Sequence, residues 1–327
     1  MSARIHLLNP LRDTHSGSDL RTLRMFDVLR EAGHDVHLWT PETADAGIRA
    51  DYPVEQVRPW RLAWPSGGTL VIVGVYFRLG RWLRLARFER IVILYNTDQP
   101  DRLMKAIARA HWSGGARVEI VHTSAALREM SGMPGEVLES PVDLKPFLGI
   151  RRAEAGSGRP FVVGRVSRDC LKKHHVEDIA LYRRLAARGV QVRILGGRCL
   201  SEQLGGVPNI ELLEAGSVPV ARFLQELDVF YYRTHENWFE AFGRVIFEAM
   251  AAGLPIVASR RGGYAAYLHN GEDALLFDSS AEALKQIQAL IEAPARRAAL
   301  GREARRSAQR ICGEGLSERM LAVLCKP

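Results

Sequence analysis

Residues 240–259 read EAFGRVIFEAMAAGLPIVAS, and this stretch decides the fold. From Arg244 a helix is expected with Val245, Ile246, Ala249 and Met250 on its buried side, ending at Gly253 before Leu254-Pro255. The PIVASR that follows reads as a strand. A helix fed directly into an apolar strand is half of a parallel α/β unit. Glu240 stands just before the helix and Glu248 over a turn inside it, which asks what two carboxylates do at that point.

The same alternation runs outward in both directions. RIHLLN (4–9) is strand-like, SDLRTLRMFDVLREAG (18–33) carries apolar residues at helical spacing and stops at Gly33, and HDVHLWT (34–40) is strand-like again. The pattern recurs as RIVILYN (90–96), a helix from about Asp101 to Ala110, and RVEIVHT (117–123) with Ser124 opening another helix. RRAEAGSGRP (151–160) is small, polar and ends in proline, which suits a linker. Beyond it the alternation restarts with FVVGRVS (161–167), a helix around Asp178 to Ala187, VQVRILGG, IELLEAG and LDVFYYR. Two Rossmann-like αβα domains are therefore expected, residues 1–150 and 161–312, facing a cleft lined by strand carboxyl ends, where open α/β sheets bind ligands.

Composition narrows the partners. The chain has 327 residues, 47% hydrophobic and 25% charged, enough for two core-bearing domains. Its longest apolar run, Leu70 to Phe77, is broken by Gly74 and falls far short of the ~20 residues a membrane span needs. The opening MSARIHLLNP reads as a buried strand entering a polar loop, so no signal peptide is expected. Cys170, Cys199, Cys312 and Cys325 have neither paired nor metal-like spacing, which fits reduced thiols in a cytoplasm. A formal charge of +8 points to anionic partners without naming them, and no nucleic-acid partner is expected.

Several chemistries are missing. No G-x-G-x-x-G lies between a strand and a helix, no G-x-x-x-x-G-K-[ST] occurs, and no G-x-S-x-G elbow is present. His235-Glu236 begins like a zincin motif, but the residue four past His235 is Phe239, and His174-His175 lack partners at ligand spacing. Hydride transfer, P-loop hydrolysis, serine hydrolysis and a metal site all lose support. What remains is an anion site. Gly243 lets backbone amides approach a ligand closely, and the helix that follows aims unpaired N–H groups and a positive dipole end outward, as a phosphate prefers. Carboxylates on either side, Glu240 and Glu248, can accept hydrogen bonds from neutral hydroxyls, and hydroxyls flanking a diphosphate describe a nucleotide sugar. Arg165, read just past a strand end, with Lys172 and Lys173 opening the next element, places cations where a diphosphate needs them.

These residues resemble a known family. ENWFEAFGRVIFEAMAAGLPIVASRRGG (236–263) resembles the E-x7-E region of retaining glycosyltransferase family 4, whose fold is GT-B. VVGRVSRDCLKKHH (162–175) is similar to the family's G-R-x-(spacer)-K diphosphate motif, and VLESPVDLKPF (137–147) to its V-x-N-G-V-D-x-x-x-F run. The likeness runs from about Val137 to Asp278, extends over Arg4 to Thr40, and thins between Pro41 and Ala116. It implies that Glu240 contacts the donor sugar and Glu248 the ribose, and that Arg165 with Lys173 or Lys172 grips the diphosphate. The backbone of Phe242, Gly243 and Arg244 would line phosphate and sugar, opposite Gly17 in the first loop. Residues 313–327 would form a helix crossing back to the first domain. One departure stands out: the family's GG-x-x-E reads Gly262-Gly263-Tyr264-Ala265-Ala266, without its glutamate.

The resemblance implies a retaining, metal-independent transferase moving a sugar from a UDP- or GDP-sugar to a glycan or lipid-linked acceptor in bacterial surface polysaccharide or lipopolysaccharide synthesis. Asp98 and His122 are the acceptor-side candidates. Residues 78–88, RLGRWLRLARF, suggest an amphipathic helix that either rests on an anionic membrane, making a cytoplasmic enzyme peripheral to it, or packs on the sheet with its arginines in water. A non-catalytic nucleotide-sugar scaffold, which the missing glutamate keeps open, and an epimerase or phosphorylase of the same fold are the alternatives.

Overall fold

The structure is a computed structural model and describes residues 2–14, 16–150 and 158–326. It divides into two compact units, Met1–Pro141 with Glu314–Pro327, and Val142–Gly313. Each is a parallel sheet covered by helices. The first sheet comprises β1 (Arg4–Leu8), β2 (Asp35–Thr40), β3 (Val54–Gln56), β4 (Thr69–Val73), β5 (Arg90–Tyr95), β6 (Arg117–His122) and β7 (Glu136–Val137) in the order β3-β2-β1-β4-β5-β6-β7. The second comprises β8 (Val162–Val166), β9 (Gln191–Leu195), β10 (Ile210–Leu213), β11 (Val229–Tyr232), β12 (Ile256–Ser259) and β13 (Leu275–Phe277) in the order β10-β9-β8-β11-β12-β13.

Sequence accounts for this layering. Every residue of β4, β5, β8 and β11 is buried, as covering a parallel sheet on both faces requires, and these strands are central. The edge strands β3 and β7 are only three and two residues long, which leaves little unpaired backbone. In each sheet the chain begins centrally, builds one side, then returns to build the other. The reversal falls between β1 and β4 in one unit and between β8 and β11 in the other, the position at which open α/β sheets bind ligands.

Two expectations need correction. The helix over 78–88 does not form; the chain makes only a 3-10 turn at Arg81–Arg84. Leu79, Trp82, Leu83, Ala86 and Phe88 are all buried. A helix burying Leu79 would turn Phe88, nine residues on, to the opposite side, so burial of both excludes it. The units divide at Pro141/Val142 rather than at residue 150, because Val142, Leu144 and Phe147 pack into the core of the second unit with Phe242 and Phe247. Residues 151–157 of the expected linker lie outside the described residues.

The last helix, Glu314–Leu324, belongs to the first unit, where Leu316, Met320, Val323 and Leu324 join the core formed by Ile5, Phe26 and Val92. Its end is held electrostatically. Buried Arg90 donates to the carbonyls of Val323 at 2.9 Å and Leu324 at 3.2 Å, and pairs with Glu119 at 2.6 Å. A cation on orphan C-terminal carbonyls complements the helix dipole. We expect Met320→Ala to lower the stability of the first unit by about 2–5 kcal/mol in chemical denaturation, the usual cost of emptying a closed core site. A loss below about 1 kcal/mol would show that the helix is not part of that core.

Candidate functional site

The reversal between β8 and β11 gathers the chemistry of the second unit. After β8 the chain turns through residues 167–170 into a 3-10 turn at Leu171–Lys173. After β11 a loop returns to the helix Arg244–Ala251. Because β8 and β11 are neighbours, the two loops meet although they are far apart in sequence. Lys173 Nζ lies 2.5 Å from Glu240 Oε2, and the Tyr232 hydroxyl donates to the same oxygen at 2.7 Å. A further tie joins the loops, where the His235 amide donates to the Lys172 carbonyl at 3.3 Å.

Burial by itself would push the Glu240 carboxyl up, but the Lys173 ammonium and the Tyr232 hydroxyl hold it below the ordinary range. Glu240 is therefore an anion here. Burial likewise pulls the Lys173 ammonium down, and the Glu240 carboxylate opposes that pull. Two cations of the loop after β8 sit over one indole: Lys173 Nζ is 4.9 Å and the Arg168 guanidinium 5.6 Å from the Trp238 ring centre.

The helix Arg244–Ala251 starts beside this pair with no side chain capping it. Its N-cap, Gly243, has φ +79°, and a Cβ there would come within 2.9 Å of the Tyr264 ring, so only glycine fits. The Gly263 amide donates to the Glu240 carbonyl at 2.7 Å, which seats the double-glycine turn under the same loop. Phe242 stacks on Phe247 at 4.6 Å inside the core, which leaves only its backbone to face a ligand. Glu248 is buried, its carboxyl pushed up by that burial against the pull of Arg244, 3.8 Å away. Ala266, where the resemblance expects glutamate, is exposed.

Arg165 corrects the sequence reading. It lies within β8 rather than beyond it, and is only 1% exposed. Its guanidinium donates to the carbonyls of Lys173 at 2.5 Å and Arg233 at 2.8 Å and to the Tyr182 hydroxyl at 3.3 Å, and it lies over the Tyr232 ring. Burial opposes its charge, but Tyr182, Tyr232 and Asp178 hold it protonated. Its guanidinium is enclosed, with Nε left without a partner among the described residues, and its bond to the Lys173 carbonyl fixes the turn that carries Lys173. Lys172 is exposed. Sequence reading missed Arg168, Tyr232 and Trp238; only RVSRD, with a second arginine three residues after the first, hinted at one of them.

The remaining candidates belong to the first unit, at the carboxyl edge of its sheet. Gly17 opens the helix Gly17–Glu31 and is exposed. Next to it Ser18 accepts from Asn9 and Asn96 beneath the turn at Gly74. Asp98 follows β5 and is half-buried. His122 ends β6 with no exposed surface, its Nε2 on Ser131 Oγ at 2.9 Å and its ring edge-on to Tyr95. An acceptor cannot reach that ring in this conformation. Among the described residues no His/Cys/Asp/Glu group could hold a metal ion, and no helix is long and apolar enough to cross a membrane.

Comparison with known proteins agrees with this layout. Residues 150–307 match the family described as Glycosyl transferases group 1, a region that takes in both strands flanking the Lys173–Glu240 pair. D-inositol 3-phosphate glycosyltransferase of Rhodococcus jostii (strain RHA1) is 36% identical over 87 residues, 26% of this chain and 19% of that protein. The match thus spans about a fifth of that relative. Among solved structures, Anabaena Alr3699/HepE in complex with UDP superposes with a TM-score of 0.76 at 17% identity, covering 99% of this chain and 100% of that one. WaaG, a glycosyltransferase involved in lipopolysaccharide biosynthesis, superposes at 0.69 and 13% identity, covering 98% and 99%. At such identities the likeness is one of fold, and that fold is GT-B.

Beneath the site, His174 carries a pH signature. Burial beside Arg165 and Lys173 pulls its imidazole down to about 3, with Nε2 on the Gly196 carbonyl at 3.0 Å. A depressed folded value means the unfolded chain takes up the proton first, so stability is complete above pH ~6.5 and lost as pH falls toward 3. We expect the stability advantage over His174→Gln to shrink by roughly 3 kcal/mol between pH 6.5 and 4, at ~1.4 kcal/mol per unit. A gap constant across that window would show that His174 is not held neutral.

Proposed function

We propose that the chain is a retaining glycosyltransferase that moves a sugar from a UDP- or GDP-sugar to a hydroxyl of a glycan or lipid-linked acceptor in bacterial surface glycan synthesis. The carrying observation is the Lys173–Glu240 pair at the β8/β11 reversal, beside an uncapped helix start. The group 1 match and the UDP held by the HepE neighbour support a nucleotide-sugar donor. WaaG's part in lipopolysaccharide synthesis supports the surface-glycan assignment.

In this reading Glu240 accepts hydrogen bonds from donor-sugar hydroxyls, and the backbone of Phe242, Gly243 and Arg244 meets phosphate and sugar. Glu248 takes the ribose by resemblance to the family. As the bond from the anomeric carbon to the diphosphate oxygen breaks, negative charge collects on that oxygen. Lys173 and the helix start stabilise it without a metal ion, most strongly at the transition state. The acceptor oxygen bonds the same face of the sugar while its proton passes to the leaving phosphate, which retains configuration. Four free thiols fit a cytoplasmic setting, and exposed Trp60 and Leu62 flanking Arg61 suit contact with a membrane bearing the acceptor.

Alanine at position 266 favours a second reading, a nucleotide-sugar scaffold without turnover. Donor consumption separates the two. We expect a UDP- or GDP-sugar, tested beside ADP- and dTDP-sugars, to stabilise the protein by about 2.7 kcal/mol at a hundred times its Kd. Slow release of free sugar is expected without acceptor. Glu240→Gln should cut that release roughly 10- to 100-fold, as losing a charge-assisted hydrogen bond implies. Stabilisation without any release would support the scaffold, and no stabilisation by any of the four would end the donor assignment.

A further inference from the structure

We propose that the first unit docks on an anionic lipid surface through one face made of residues 57–66 and 76–87, with Trp60 and Leu62 entering the interface while arginines meet lipid phosphates. This rests on the lipid-linked acceptor in the reading above and takes from it only the reason to reach a membrane. Residues 57–88 hold six arginines, Arg58, Arg61, Arg78, Arg81, Arg84 and Arg87, and no aspartate, glutamate or lysine. All but Arg58 are exposed, and among the described residues none of the six forms an ion pair. Large apolar side chains stand in water among them: Trp60 is 76% exposed, Leu62 79% and Leu85 64%. Unbalanced charge and uncovered apolar surface coincide on one stretch of chain.

The two segments share a face of the first sheet. His6 on β1 touches both, its Nε2 3.2 Å from the Ser66 carbonyl and its ring edge-on to Phe88 at 6.2 Å. They are also tied directly, since the Arg87 amide donates to the Ser66 hydroxyl at 3.1 Å and the Gly67 amide to the Arg87 carbonyl at 2.5 Å. Topology agrees: β3 to β4 and β4 to β5 run the same way across the sheet, so right-handed crossovers put both connections on one side. The apolar tip is held rigid. Arg58 and Ala63 exchange amide-to-carbonyl bonds at 2.7 and 3.2 Å, and the Leu62 amide donates to the Pro59 carbonyl at 3.1 Å. Leu62 takes φ +54°, a left-handed conformation that costs energy for any residue but glycine. A leucine strained in this way and left in water stabilises nothing in the folded chain, whereas against hydrocarbon it gains burial. A soluble polyanion would match the charge alone. A bilayer with anionic headgroups matches both, because phosphates take the guanidinium groups, the indole favours the interface and leucine enters the acyl boundary.

Co-sedimentation of the full chain with phosphatidylcholine vesicles, with and without phosphatidylglycerol, tests this. Binding should require the anionic lipid and weaken as salt rises. Trp60→Ser combined with Leu62→Ser should weaken it roughly tenfold or more, and Arg61→Gln or Arg81→Gln about fivefold each, with the melting temperature unchanged in every variant. Heparin, a soluble polyanion, should bind the Trp60→Ser/Leu62→Ser variant as well as it binds the wild type. Absence of sedimentation with phosphatidylglycerol vesicles overturns the proposal, and so does undiminished vesicle binding by that double variant. An equal loss of heparin and vesicle binding in it makes the face a polyanion site and overturns the lipid assignment. No nucleotide enters these measurements, so failure here leaves the donor reading intact. A chain that sediments with anionic vesicles but is stabilised by no nucleotide sugar loses the donor reading and keeps this one.

Discussion

The site in the second unit depends on one buried cation. Taking a guanidinium out of water is costly unless its donors find partners, and Arg165 finds the Lys173 and Arg233 carbonyls, the Tyr182 hydroxyl and the face of Tyr232. Those partners lie on three different pieces of chain. The carbonyl of Lys173 fixes the turn after β8, that of Arg233 fixes the end of β11, and Tyr182 ties in the helix Asp178–Ala186. Arg165 is the post to which the loops of the candidate site are fastened.

Charge then spreads from that post in an ordered way. Asp178, beneath Arg165, is pushed up to about 6 by burial, against the pull of Arg165 and of the Tyr231 hydroxyl 2.7 Å away. Arg233 extends the network to Glu177 at 3.0 Å and to Ser280 at 2.7 Å. Tyr232 and Tyr264 are held well above their usual range by burial, so Tyr232 keeps the proton it gives to Glu240. The network keeps Glu240 ionised and Lys173 oriented before any ligand arrives, which is the preorganisation electrostatic catalysis requires. The first unit shows the same device in milder form, where buried Arg21 reaches from its helix to Thr123 and to the Leu138 carbonyl.

The division of labour along the chain follows from packing. The first unit takes the last helix into its own core, and Arg90 grips that helix by its terminal carbonyls. The second unit takes Val142, Leu144 and Phe147, so the boundary falls where side chains change cores rather than where composition changes. A Pro/Gly/Ser-rich stretch marks where a chain can bend. Which core a preceding hydrophobic residue enters is a separate matter.

The sequence by itself determined the α/β alternation, the helix that starts after Gly243 and the anion-ready end it presents, because hydrophobic period, a missing Cβ and terminal amides are all local properties. It also carried Glu240 and Lys173, though not their contact across a separation of 67 positions. Tertiary structure alone decided that contact, since it follows from β8 and β11 being neighbours at the sheet's reversal. It also decided that Arg165 turns inward while Arg168 faces out, and that 78–88 packs as an irregular segment. Two arginines three residues apart look alike in a string of letters. Only the enclosing carbonyls and rings of other elements tell the buried charge from the available one.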